Sequence, residues 1–175
     1  SQLTLTGSVT LNGDISVAGG GAVRVGADAS LTGSGTVQLG GALSFFGPSA
    51  GSTFTVGSGI AAHGEGIFGS ISRSVINNGH IAADTSGTTL NFRANGLTNN
   101  GTIEAKNGAK LVISGTFTPS NLNSVVNNGG TLQISQSGAP ATVNLTGSSF
   151  TNGAVNDWGF GDGASFVGGT INTLP

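Results

Sequence analysis

Seven carboxylates, two histidines and one tryptophan are the residues of this chain with the clearest chemical potential: Asp14, Asp28, Glu65, Asp84, Glu104, Asp157, Asp162, His63, His80 and Trp158. Sugar hydrolysis needs two carboxyl groups held at a fixed separation across a glycosidic bond. Only NDWGFGDG at 156–163 sets two of them close in sequence, and there Asp157, Trp158 and Asp162 could line a carbohydrate platform. The competing and favoured reading of that stretch is a turn with Asx caps and an aromatic plug over the last rungs. His63 and His80 stand 17 residues apart and fall out of step with the repeat described below, so they are expected to be exposed strand positions and not a shared metal site. No Gly-x-Ser-x-Gly elbow marks a nucleophile, and the glycines at 19–21 lack the lysine and helix of a phosphate loop. With no cysteine there are no thiolate ligands or disulfides. No catalytic residue, metal site or cofactor site is therefore assigned.

The elements that would position these residues follow from composition and period. Gly, Ser, Thr and Asn supply 90 of 175 residues, which works against helices. Charged residues are only 7% and apolar ones recur throughout, which is unlike a disordered chain. The glycines have no three-residue period, which excludes collagen. An all-β chain with many tight turns remains. A net charge of −2 without a basic stripe argues against nucleic acid, and no apolar run is long enough to span a bilayer. The lack of any methionine reads as a processed or internal segment.

One unit recurs, a short apolar run, an Asn-Gly or Gly-Ser-Gly turn and an alternating strand: SVTLNGDISV at 8–17, SLTGSGTVQL at 30–39, FTVGSGIAA at 54–62, SVINNGHIAA at 74–83, GLTNNGTIEA at 96–105 and SVVNNGGTLQI at 124–134, with a degenerate SFTNGAV at 149–155. The turn glycines Gly13, Gly35, Gly59, Gly79, Gly101, Gly129 and Gly153 are spaced by 22, 24, 20, 22, 28 and 24 residues. A period of about 22 is that of a β-solenoid coil. The long interval is assigned to a loop insertion at 116–124, and a second strand per coil to 22–26, 42–46, 89–93, 110–114 and 142–146. The expected fold is a right-handed parallel β-helix of about eight rungs, one domain over 1–175 with an end region at 154–175; a meander of Asn-Gly hairpins is the rival. In the solenoid, Asn and Gly supply positive φ at the corners. Asn77, Asn78 and Gly79, Asn99, Asn100 and Gly101, and Asn127, Asn128 and Gly129 would stack as a turn ladder, with Asn77, Asn99 and Asn127 above one another. About one phenylalanine per rung would stack in the core.

The stretches GLTNNGTIEAKNGAKLVISG at 96–115 and SVVNNGGTLQISQSGAPATVNLTGSSFTNG at 124–153 resemble the repeats of large bacterial secreted β-helix proteins, the filamentous-haemagglutinin-like adhesins and autotransporter passengers. That resemblance implies a secreted, extracellular or cell-surface rod without catalysis: a segment of a surface fibre, biofilm matrix filament or adhesin stalk. Its expected partners are copies of itself joined end to end by strand pairing, or other segments of a longer adhesin. A carbohydrate-binding or carbohydrate-active β-helix with a surface glycan as ligand is the alternative. An ice-binding solenoid is the second, suggested by the Thr-x-Thr pairs at 4 and 6, 53 and 55, and 116 and 118.

Overall fold

The computed structural model describes residues 2–48, 53–153 and 156–174, and within these the side chains of residues 42–45 and 48 are left undescribed, the Phe45 ring included. Val155, in the degenerate repeat, and Ala154 and Pro175, in the end region, lie outside the described residues.

The chain winds as a parallel β-solenoid of about seven turns, one fewer than the turn arithmetic gives. Each strand pairs with the strand one coil away, and every strand pair is parallel, as in Ser8 opposite Ser30, His80 opposite Thr102 and Ile103 opposite Val125. Hairpins are overturned by this topology, since among the described residues strands adjacent in sequence do not pair. A middle coil has three strands: Ser74–Asn77, His80–Ala83 and Thr89–Asn95. The repeat unit therefore spans two faces with the Asn-Gly corner between them.

Three faces result. The first is a five-stranded sheet of Ser8–Leu11, Ala29–Gly33, Thr53–Val56, Ser74–Asn77 and Leu97–Asn99. The second carries Asp14–Ala18, His80–Ala83, Thr102–Lys106 and Val125–Asn128, and the third carries Ala22–Val25, Thr89–Asn95, Lys110–Phe117 and Thr131–Ile134. Thr36–Pro48 and Ala61–Ser70 run through the corner and join both. Because side chains alternate along a strand, Phe54, Val56, Val75, Ile81, Leu90 and Phe92 all face inward and are buried. Rings from successive coils touch: Phe46 to Phe68 at 5.3 Å, Phe68 to Phe92 at 5.6 Å and Phe92 to Phe117 at 6.3 Å between centroids. The core is a column of apolar side chains repeated coil after coil.

Two expectations change. Residues 116–124 do not bulge as a loop. Pro119–Asn123 form a one-turn helix, α1, capped by Thr118 in a capping box with Asn121, and it buries Pro119 and Leu122. Asn121 Nδ2 donates to the Leu97 carbonyl at 2.9 Å, so α1 takes the place of a first-face strand in its coil. Proline lacks a ladder donor but fits the first helical turn, which explains the exchange.

Of the seven corner glycines, Gly129 and Gly153 have the expected positive φ, and four of the others have a different cause. Gly13, Gly35, Gly59, Gly79 and Gly101 are not among the positive-φ residues. Gly35, Gly59, Gly79 and Gly101 are required by close approach: a Cβ on Gly101 would overlap the Gly79 carbonyl oxygen, and one on Gly35 would meet that of Gly13, whereas Gly13 itself has open space around it. These carbonyls accept the inter-coil bonds from Thr102 N at 2.9 Å and Thr36 N at 3.0 Å. Positive φ belongs to a second set, including Asn107 and Gly108, where Ala109 N closes a tight turn onto Lys106 O at 3.0 Å.

Two substitutions separate these causes. Gly101→Ala, at an ordinary φ, is expected to destabilise by well over the ~1 kcal/mol of a left-handed strain penalty, whereas Gly129→Ala, at φ +78° with open space around it, should lose only about that amount. Phe92→Ala should lose about 3–5 kcal/mol through the cavity left in the ring column. Denaturant midpoints at constant m-value would measure all three.

Candidate functional site

The corner amides form a polar seam along part of the stack. Asn77, fully buried, accepts from Gly79 N at 3.1 Å through Oδ1 and donates through Nδ2 to Asn99 Oδ1 at 2.8 Å and to the Thr102 carbonyl at 3.1 Å. Asn100 Nδ2 donates to Asn78 Oδ1 at 2.9 Å. A buried amide is tolerated only when its donors and acceptors are met, and here the next coil takes both donors while Gly79 N of its own coil serves the oxygen. Asn127 is not the next rung. It lies opposite Ala105, on the second face, and its Oδ1 accepts from Gly130 N at 3.0 Å in a local turn. Asn128 lies opposite Lys106, and Gly129 O accepts from Gly108 N at 2.8 Å. With α1 in the place of the next first-face strand, Ser124 continues the seam instead: Asn99 Nδ2 donates to its Oγ at 3.2 Å and its carbonyl at 3.3 Å.

The titratable residues converge on the second face. His63 lies opposite Ala82, and Ala82 opposite Glu104, so one outward column reads His63, Ala82, Glu104. Residues two positions away point to the same side, which brings His80, Asp84 and Lys106 alongside. His63 Nδ1 stands 3.1 Å from Asp84 Oδ2, and His80 Nε2 is 2.7 Å from Glu104 Oε1, which also takes Lys106 Nζ at 2.8 Å. The histidines are out of register with each other, as the spacing requires, but each meets a carboxylate from the next coil. The carboxylates are thus less scattered than their sequence positions suggest. The signal was present as His80 and Glu104 at a separation of 24, the coil period plus one alternation.

Glu104 is the best-defined group of this strip. Burial pushes its carboxyl up, yet the bonds from Lys106 and His80 and the charge behind them together outweigh burial and hold it below the ordinary carboxylate range. An ionised carboxylate that already accepts two bonds is suited to clamping coils rather than to taking a proton from a substrate. Among the described residues, no group of three or more His, Asp or Glu could hold a metal ion.

The carbohydrate platform is corrected. Trp158 is 2% exposed, its ring inside the last coils opposite Leu132, so it offers no face to a sugar. Asn152 fixes it: Oδ1 accepts from Trp158 N at 2.9 Å and Nδ2 donates to the Trp158 carbonyl at 3.1 Å and to Asp157 Oδ1 at 3.2 Å. Asp162 is exposed and contributes its backbone carbonyl to Ser135 Oγ at 2.6 Å. The Thr-x-Thr pairs do not share a face either: Thr4 is on a third-face strand, Thr53 and Thr55 on the first, and Thr118 is the cap of α1.

Removing the carboxylate tests the clamp. Because the Glu104 pKa is depressed in the fold, its stabilisation is present above the unfolded carboxylate pKa and lost as pH falls through the folded one. Glu104→Gln should therefore cost about 1 kcal/mol near neutrality, and the difference from wild type should shrink below pH ~4, as read from denaturation across pH. Compared with known proteins, the chain matches no family model, no curated protein and no solved structure.

Proposed function

We infer that this chain is a structural or adhesive rod segment, non-catalytic and secreted, of a bacterial surface fibre, biofilm matrix filament or adhesin stalk. The observation that carries the reading is the chemistry of the two terminal coils. Of the seven large apolar residues that are strongly exposed among the described ones, Leu3 lies in the first coil and Phe160, Val167, Ile171 and Leu174 in the last ones, with Ile71 and Val126 on coils between. The outer edges of these coils pair on one side only: Gln2–Leu5 and Ser8–Leu11 each bond one described strand, as do Ala164–Val167 and Thr170–Thr173. A row of unpaired N–H and C=O groups is a template for another strand. Leu3, Ile15, Val17 and Val23 also line a hollow of about 250 Å³ at the first coil, into which apolar side chains of a further coil would fit. The reading is that these edges accept strands of a second copy, end to end.

Sedimentation and electron microscopy of the purified chain over a concentration series would test this. End-to-end rods that lengthen with concentration are expected, and Ile171→Lys should shorten them while leaving the circular dichroism unchanged. A strictly monomeric chain at high concentration, together with measurable glycosidase or lyase turnover, would overturn the reading.

A further inference from the structure

The three faces differ in charge. On the five first-face strands there is no Asp, Glu, Lys, Arg or His, whereas the second face carries the His63, His80, Asp84, Glu104 and Lys106 strip. What points outward from the first face is mainly hydroxyl, with Ile76 among the rows and the Asp28 carboxylate at one edge, where its Oδ1 accepts from Thr53 N at 3.1 Å. Register places Ser8, Ser30, Thr55, Ile76 and Thr98 in one continuous column. Thr10 and Thr32 flank it on one side, Thr53 and Ser74 on the other. All are half-buried or exposed, while the residues between them are turned to the core.

The hydroxyls are aligned with one another. Ser30 Oγ donates to Ser8 Oγ at 3.0 Å, and Thr10 and Thr32 Oγ1 stand 3.5 Å apart across the same two coils. Backbone pairing fixes their repeat at about 4.8 Å along the axis, and alternation fixes about 6.7 Å along each strand. A hydroxyl can both donate and accept; Ser30 donates to Ser8, Thr32 to the Val9 carbonyl and Ser74 to the Asn95 carbonyl, which leaves their oxygens to accept, and the threonine methyls and Ile76 separate the rows. Where Gly96 supplies no side chain, Thr53, Ser74, Ile76 and Thr98 border a recess of about 340 Å³, roomy enough for several ordered waters.

We propose that the first face binds ice. A two-dimensional array of hydroxyls and methyls, with the Asp28 carboxylate only at its edge, holds its first water layer in regular rows at these spacings, and many water-mediated bonds then attach the face to the crystal. A neutral glycan is the weaker fit, since no aromatic ring lies on the outer side of these strands to stack on a sugar: Phe54, the one ring among them, is inward and buried. Helix α1 ends the array after the fifth strand. The surface is a side of the rod, separate from its ends, so it does not depend on end-to-end assembly.

The full chain is tested in supercooled water for thermal hysteresis, ice shaping and inhibition of recrystallisation. Wild type is expected to be active. Thr10→Lys and Thr98→Lys, which push an ammonium into the array, should require about tenfold or more protein for the same inhibition. Gln38→Lys, at an exposed position on the second face, should match wild type, with circular dichroism confirming the fold of each. Absence of ice activity in wild type, or equal activity in the Thr98→Lys chain, would overturn the proposal. Retention on microcrystalline cellulose without ice activity would overturn it in favour of a glycan surface. Ile171→Lys should leave the ice readouts unmoved, which separates this face from the ends.

Discussion

Parallel backbone pairing between successive coils is the constraint on which everything else in this molecule depends. It forces each coil to return after nearly the same number of residues, because Thr102 N can reach Gly79 O, and Thr36 N reach Gly13 O, only if the corners superpose. Superposed corners leave no room for a Cβ at Gly35, Gly59, Gly79 and Gly101. Superposed strands place like on like, hence the ring column from Phe46 to Phe117 inside and the hydroxyl column from Ser8 to Thr98 outside. Inner and outer chemistry are two products of a single register.

That register also decides what a polar side chain can do. Asn77 is buried with its donors met because Asn99, one coil on, places its amide oxygen against the Asn77 amide nitrogen. Glu104 stays charged because His80 and Lys106 sit two positions to either side of its column. Trp158 shows the opposite case: its backbone is clamped by Asn152, while its indole N–H has no hydrogen-bond partner among the described residues.

Period and alternation made the solenoid legible, since both are properties of residue order alone. What was not legible was equivalence. The Asn-Asn-Gly at 127–129 copies the motif at 99–101 but not its place, because α1 fills the first-face position and passes the seam to Ser124. A motif search cannot see that a five-residue helix has replaced a strand. Similarly, Thr53 and Thr55 were visible as a pair, but their companions are Ser8 and Thr10, Ser30 and Thr32, and Ser74, which read as a common face only once the coils are superposed. NDWGFGDG left a platform and a plug as alternatives because sequence does not tell which side of an end strand faces the core, and the buried Trp158 is the plug.

The coil offset of about 22 residues carries one further consequence. Nearly every contact joins residues about one coil apart, so the loop that must close to add a coil is the same size wherever in the stack it is added. The entropic cost of the seventh turn equals that of the second, and a rod of this design can lengthen by whole coils without becoming slower to fold per coil or losing cooperativity with its neighbours. Length, in such a molecule, is a quantity evolution can change by duplication alone.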